Sequence, residues 1–146
     1  MEQFIHFVIN HWALWIAMIV LLLLLLRVET GANIGGLQLL TPQVATQKVN
    51  RENAVILDVR EETAFANGHI LGAINIPLKQ LSEQIKKLKK YKDKPVIVCL
   101  ASGQSFGKAG QALKAEGFSQ LFALKGGIDA WQQANLPLMK AETQTS

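Results

Sequence analysis

Pro95-Val96-Ile97-Val98-Cys99-Leu100-Ala101-Ser102-Gly103-Gln104-Ser105-Phe106-Gly107-Lys108-Ala109-Gly110 is the stretch on which the reading of this chain turns. An unbroken run of β-formers, opened by proline and followed by small polar residues and glycine, describes a buried strand that runs into a tight loop. The residues after the loop open a helix. Strand, loop and helix in that order are the unit of a parallel α/β sheet, and such sheets bind ligands at the carboxyl edge of their strands. The chain's one cysteine, Cys99, stands at that edge, so a site is expected there.

Working outward, residues 54–57 form a second short apolar strand with Asp58 and Arg60 at its end, followed by a short helix over 61–67 that Gly68 closes. Thr41-Pro42 has the form of an N-cap followed by a first-turn proline, and Val44, Ala45 and Val49 follow on one face of the helix it starts. A further strand is expected over 73–75. Downstream come a helix over 106–116 stopped at Gly117, a strand over 120–124 and a helix over 128–134. This alternation predicts a doubly wound, mostly parallel sheet with helices on both faces.

The hydrophobic content of 49% and the positive mean hydropathy are high for such a domain, and the excess lies at the N-terminus. Residues 7–26 carry no charge and end in six consecutive leucines, Leu21 to Leu26. About 20 residues at ~1.5 Å each span roughly 30 Å, the thickness of a bilayer's hydrocarbon layer. One transmembrane helix is therefore expected, with Trp12 and Trp15 near an interface and His6 and His11 as interfacial polar residues. No basic n-region precedes it and no small-residue cleavage site follows, which favours an uncleaved anchor over a signal peptide. Arg27 directly follows the run and further basic residues begin at Lys48, which predicts a single-pass membrane protein with its globular domain in the cytoplasm. A lone cysteine offers no disulfide framework of the secreted kind. The expected organisation is an N-terminal tail 1–6, the membrane helix 7–26, a linker 27–40, the domain 41–139 and a polar tail 140–146.

Leu81, Ile85 and Leu88 mark an amphipathic helix whose other face carries Lys86, Lys87, Lys89 and Lys90, with Lys92 and Lys94 just beyond. The ordinary fate of such a face is solvation. On a tethered domain it is also suited to anionic lipid, whereas the lack of interleaved aromatics or an arginine groove speaks against nucleic acid. Gly103 to Ala109 falls short of a phosphate loop, with one residue too few between the glycines and alanine in place of Ser/Thr. No serine-hydrolase elbow, zinc-protease or Cys-x-x-Cys motif occurs. His69 and Asp58 read as hydrogen-bonding structural residues, and no metal or cofactor is expected.

Leu57-Asp58-Val59-Arg60, the run from Gly68 to Pro77, the run from Pro95 to Ala109, Gly117-Phe118 and the run from Leu124 to Trp131 occur in the order found in single-domain rhodaneses. The chain resembles that family, and within it the bacterial inner-membrane proteins with one N-terminal helix. The resemblance implies a rhodanese-like fold and, in active members, sulfane sulfur carried as a cysteine persulfide. The family loop has the form Cys-x-x-Gly-x-Arg-Ser, its cysteine five positions after the strand's proline. Counted from Pro95, that position is Leu100, and the position of the family arginine is Ser105. Leu100, Ala101, Ser102, Gly103, Gln104, Ser105 and Phe106 then form the loop, an anion cradle without a nucleophile, supported by Asp58 and Arg60. The function expected is a catalytically defective, membrane-anchored binding or interaction module with an unknown protein partner. A sulfurtransferase that uses Cys99 through a loop one residue longer, fed by a sulfane-sulfur donor, is the alternative, and a small-anion sensor is a third reading.

Overall fold

The computed structural model describes residues 1–29, 33–34, 36–101 and 106–141. The chain divides into two units, Met1–Ala32 and Asn33–Ser146.

In the first unit the expected continuous helix over 7–26 is two helices, α1 (Glu2–Asn10) and α2 (Trp12–Glu29). The break falls at His11, whose backbone leaves the helical region at φ −119° and ψ 25°. Its Nδ1–H donates to the carbonyl of Phe7 at 2.9 Å, and its own carbonyl accepts from Leu14 N at 2.9 Å and Trp15 N at 3.3 Å. One polar residue thus ends the first helix and starts the second, the competition for backbone groups that makes such residues poor in helix interiors. Among the described residues no helix is long and apolar enough to cross a membrane. Ile5, Phe7, Ile9, Trp12, Ile16 and Leu21 to Leu25 are all largely exposed.

The second unit is built on a six-stranded sheet in the order β1 (Asn33–Ile34), β2 (Leu37–Leu40), β6 (Leu121–Leu124), β5 (Val96–Cys99), β3 (Val55–Asp58), β4 (Ile74–Asn75). Every pairing is parallel except β1 with β2. The stretch 27–40, expected as a linker, therefore holds two strands, and the domain begins before residue 41. Leu37 and Leu40 are buried, and β2 lies parallel to β6 with Leu40 opposite Leu124, so leucine side chains rather than glycine content decide this segment.

Between the strands run α3 (Pro42–Glu52), α4 (Glu62–Asn67), α5 (Leu81–Gln84) and α6 (Phe106–Ala115), and α7 (Gly127–Gln133) follows the last strand. Thr41 caps α3, its hydroxyl accepting from Val44 N at 3.4 Å, and Asn53 ends it in the left-handed region at φ 53°. Ala45 is buried and Val49 packs on the core, but Val44 is 41% exposed. The expected lysine-bearing helix is a single turn, α5, that tightens into a 3-10 helix over Ile85–Tyr91.

Two cores sandwich the sheet. On one face Leu57, Val96, Val98 and Leu100 pack with Leu81, Ile85, Leu88, Ala109 and Leu113. On the other, Ile56, Ile97, Cys99 and Leu124 pack with Ala45, Ile128 and Trp131. Fully burying an aliphatic side chain of this size contributes about 1.5–3 kcal/mol, so both layers are needed to hold the sheet.

The start of α7 is fixed by a close approach. Gly127 has φ +60°, and a Cβ there would overlap the carbonyl oxygen of Leu100. Gly127→Ala is expected to lose about 1–2 kcal/mol to the left-handed backbone, and more as Leu100 is pushed aside. Urea denaturation measures it, and an unchanged midpoint would contradict the approach of these two backbones.

Candidate functional site

The chain leaves β3 toward β4 on one side and returns in β5 on the other side of β3, so the order of the sheet reverses between β3 and β5. Ligand crevices of open α/β sheets lie outside the strand ends at such a reversal. The register places Asp58 opposite Cys99 at that edge, and Val59 N donates to the Cys99 carbonyl at 3.1 Å. The next residues of β5's exit are Leu100 and Ala101.

Side chains alternate through this edge because successive residues of a strand point to opposite faces. Cys99 is fully buried in the core shared with Ile97 and Trp131, and Leu100, 1% exposed, is buried in the core shared with Val98 and Leu113. Burial pushes the Cys99 thiol up to about 12, the Asp58 charge adds to the rise, and Arg60 opposes it. Such a thiol carries almost no thiolate near neutrality, and the thiolate is the nucleophile. Of the expected cradle, Ala101 is exposed and Phe106 opens α6 half-buried against the Leu100 core. Ser102, Gly103, Gln104 and Ser105 lie outside the described residues.

Asp58 and Arg60 are brought together. Arg60 Nε donates to both Asp58 carboxylate oxygens at 3.0 and 3.1 Å, Nη2 donates to Oδ2 at 2.8 Å, and Arg60 N donates to Oδ1 at 3.0 Å. Nη2 also donates to the Gly68 carbonyl at 2.7 Å. Burial pulls the guanidinium down, but the hydrogen bonds and charge of Asp58 more than offset it and hold Arg60 above its ordinary value. A pair this buried costs about 3–5 kcal/mol if one partner is removed, because the other charge is stranded. Its local ring of bonds ties the exit of β3 to the loop after α4.

Asn75 completes the clamp, its Nδ2 donating to the carbonyls of Asp58 at 3.1 Å and Arg60 at 3.0 Å. Sequence reading missed this asparagine, and the missed signal is a polar residue at the end of a short apolar strand. The Gly127 contact with Leu100 was equally unforeseen, although Gly126-Gly127 directly after a strand and its turn marks a forced backbone. His69 stacks on Phe65 with ring centroids 3.9 Å apart and donates from Nδ1 to the Phe65 carbonyl at 2.9 Å.

A family model described as the rhodanese-like domain matches residues 41–134. The chain belongs to the rhodanese-like domain family. The YibN protein of Escherichia coli is 37% identical over 143 residues, covering 97% of this chain and 100% of YibN. The thiosulfate sulfurtransferase GlpE of Shewanella oneidensis is 35% identical over 89 residues, covering 61% of this chain and 86% of GlpE. Among solved structures, the rhodanese-like domain of the Anabaena sp. Alr3790 protein superposes with a TM-score of 0.62 at 25% identity, covering 73% of this chain and 82% of that one. The rhodanese-like domain carries the site described above, with Leu100 five residues after Pro95 and Cys99 behind it.

The raised thiol has a consequence for stability. A group protonated more tightly in the fold contributes fully below its unfolded pKa, about 8.5, and the contribution is lost as pH rises toward about 12. Stability should therefore fall above pH ~8.5 with a slope of up to ~1.4 kcal/mol per pH unit from this group. Cys99→Ala should be less stable near pH 7 yet show a shallower alkaline slope. Equal slopes in the two proteins, measured by denaturant titration, would contradict the burial of the thiol.

Proposed function

We propose that this protein is a membrane-anchored rhodanese-like domain that does not turn over sulfur and acts as a binding or interaction module. The observation that carries the reading is the pair at the end of β5, where an aliphatic side chain stands at the position that the family loop gives its cysteine, and the adjacent thiol is buried on the other sheet face with its pKa raised to about 12. An attacking thiol works best with a pKa near ambient pH, and it needs access to its donor. Cys99 has neither. What the site retains is a rigid edge at the end of β5, held by Asp58, Arg60, Asn75 and Gly127.

The anchoring half of the reading rests on the N-terminal unit. After the break at His11, the run from Trp12 to Leu25 exposes apolar side chains on every face, an arrangement that water disfavours and hydrocarbon accepts. Asn10 and His11, at the junction of α1 and α2, are suited to an interface beside the apolar run that begins at Trp12. Arg27 at the far end favours the cytoplasm for the domain.

The sulfurtransferase reading takes support from the names of relatives such as GlpE. In that reaction a thiolate attacks the sulfane sulfur of thiosulfate, sulfite leaves, and cyanide then takes the sulfur from the persulfide as thiocyanate and restores the thiolate. Full-length protein offered thiosulfate and cyanide is expected to form thiocyanate no faster than its Cys99→Ser variant. Turnover that is fast and lost in Cys99→Ser would overturn the non-catalytic reading. Leu100→Cys places a thiol at the position that the family loop gives its cysteine, and any gain in that variant should survive a second change, Cys99→Ser.

A further inference from the structure

The segment Ile85–Tyr91 winds as a 3-10 helix, and with about three residues per turn the residues i and i+3 share a row. Ile85 and Leu88 occupy the inward row, each 2% exposed, with Tyr91 next in line and half-buried against the same core. Two outward rows remain, one with Lys86 and Lys89, the other with Lys87 and Lys90. An α-helix would rotate these residues out of register, whereas the tighter winding stacks like charges about 6 Å apart. Lys92 and Lys94 extend the patch past the helix.

Six lysines stand against one carboxylate, Asp93, between residues 86 and 94, and Glu83 lies one turn before them. The described ion pairs join Lys48 to Glu52, Arg60 to Asp58 and Lys79 to Glu61, none of them within the patch. Lys87 Nζ donates to the neutral Gln84 Oε1 at 3.0 Å, and the ammonium groups of Lys90 and Lys94 lie 4.9 and 5.9 Å from the Tyr91 ring centroid. A cleft of about 300 Å³ opens between these lysines and the edge strand, lined among others by Asn75, Gln84, Lys87, Lys90 and Tyr91. Ammonium groups and a tyrosine ring around one recess suit the phosphate and glycerol region of a lipid headgroup layer.

We propose that the lysine face over residues 86–94 docks the domain onto an anionic bilayer surface. The choice of a bilayer over another polyanion rests on the anchoring reading above, since a chain already seated in a membrane meets its surface at high effective concentration and weak individual contacts then suffice. Nucleic acid is the poorer fit, because Tyr91 is the one aromatic residue in the patch and no arginine accompanies it.

The test uses the full-length chain mixed with vesicles of phosphatidylcholine, with and without about one-third phosphatidylglycerol, and an uncharged acylating reagent, with Lys48 and Lys140 as internal references. Acylation of Lys86, Lys87, Lys89 and Lys90 should slow at least about fivefold in the anionic vesicles, the factor a single headgroup contact of this kind confers. High salt should restore the rate, because the attraction is screened within about 8–10 Å at physiological ionic strength and less at higher. In the K86Q/K87Q/K89Q/K90Q variant, which alters only exposed side chains, Lys92 and Lys94 should lose their protection. Equal rates in the two vesicle types, or protection by an RNA where anionic vesicles give none, would overturn the docking. Flotation with pure phosphatidylcholine vesicles at high salt reads the anchor separately. Its failure beside salt-sensitive protection on anionic vesicles would remove the anchor and leave the docking in place.

Discussion

The parallel pairing of β3 with β5 is the constraint on which the rest of the domain depends. Four registered residue pairs, from Val55 with Val96 to Asp58 with Cys99, fix which residue of β5 is last in the sheet and which face each side chain takes. Because both faces of β5 are packed, a slip by one residue would exchange two complete sets of core side chains. The same register therefore decides stability and chemistry together. It sends Cys99 into the core beneath α7 and Leu100 into the core beneath α6, and the thiol's raised pKa follows from that burial.

Around this pairing the edge is held by polar groups that satisfy one another. The Asp58 carboxylate is occupied by Arg60, the Arg60 guanidinium reaches on to the Gly68 carbonyl, and Asn75 takes two further carbonyls. No buried side-chain nitrogen or oxygen among the described residues lacks a partner. A network of this kind rigidifies a site more than it stabilises a fold. Its charges are directed at each other and not at the crevice, which suits a scaffold for a loop better than acid–base chemistry.

Most of the domain was legible in its sequence because local signals agreed with the packing. Thr41-Pro42 starts a helix, the apolar runs before Asp58 and Cys99 are strands, and Gly117 ends a helix where the periodicity ends. The ordered motifs carried the family, which the match over residues 41–134 establishes. Three features were not legible, each for a physical reason. The strands at 33–34 and 37–40 exist because β2 finds β6 across the sheet, a partner more than eighty residues away that no local pattern announces. The break at His11 depends on one polar side chain bonding its own helix's carbonyl within an otherwise uniform apolar run. The 3-10 winding over Ile85–Tyr91 reflects how a short segment must fit Ile85 and Leu88 into one core, where the sequence pattern alone suits an α-helix equally well.

The proposed loss of sulfur transfer rests on the burial of the Cys99 thiol in the core. Intact-mass spectrometry of the native full-length protein after exposure to thiosulfate or an inorganic polysulfide reads this directly. The account predicts an unchanged mass while the protein is folded, with Cys99 alkylated by iodoacetamide only after denaturant is added. A native protein heavier by one sulfur atom, with the increment on Cys99 and removed by cyanide, would contradict it.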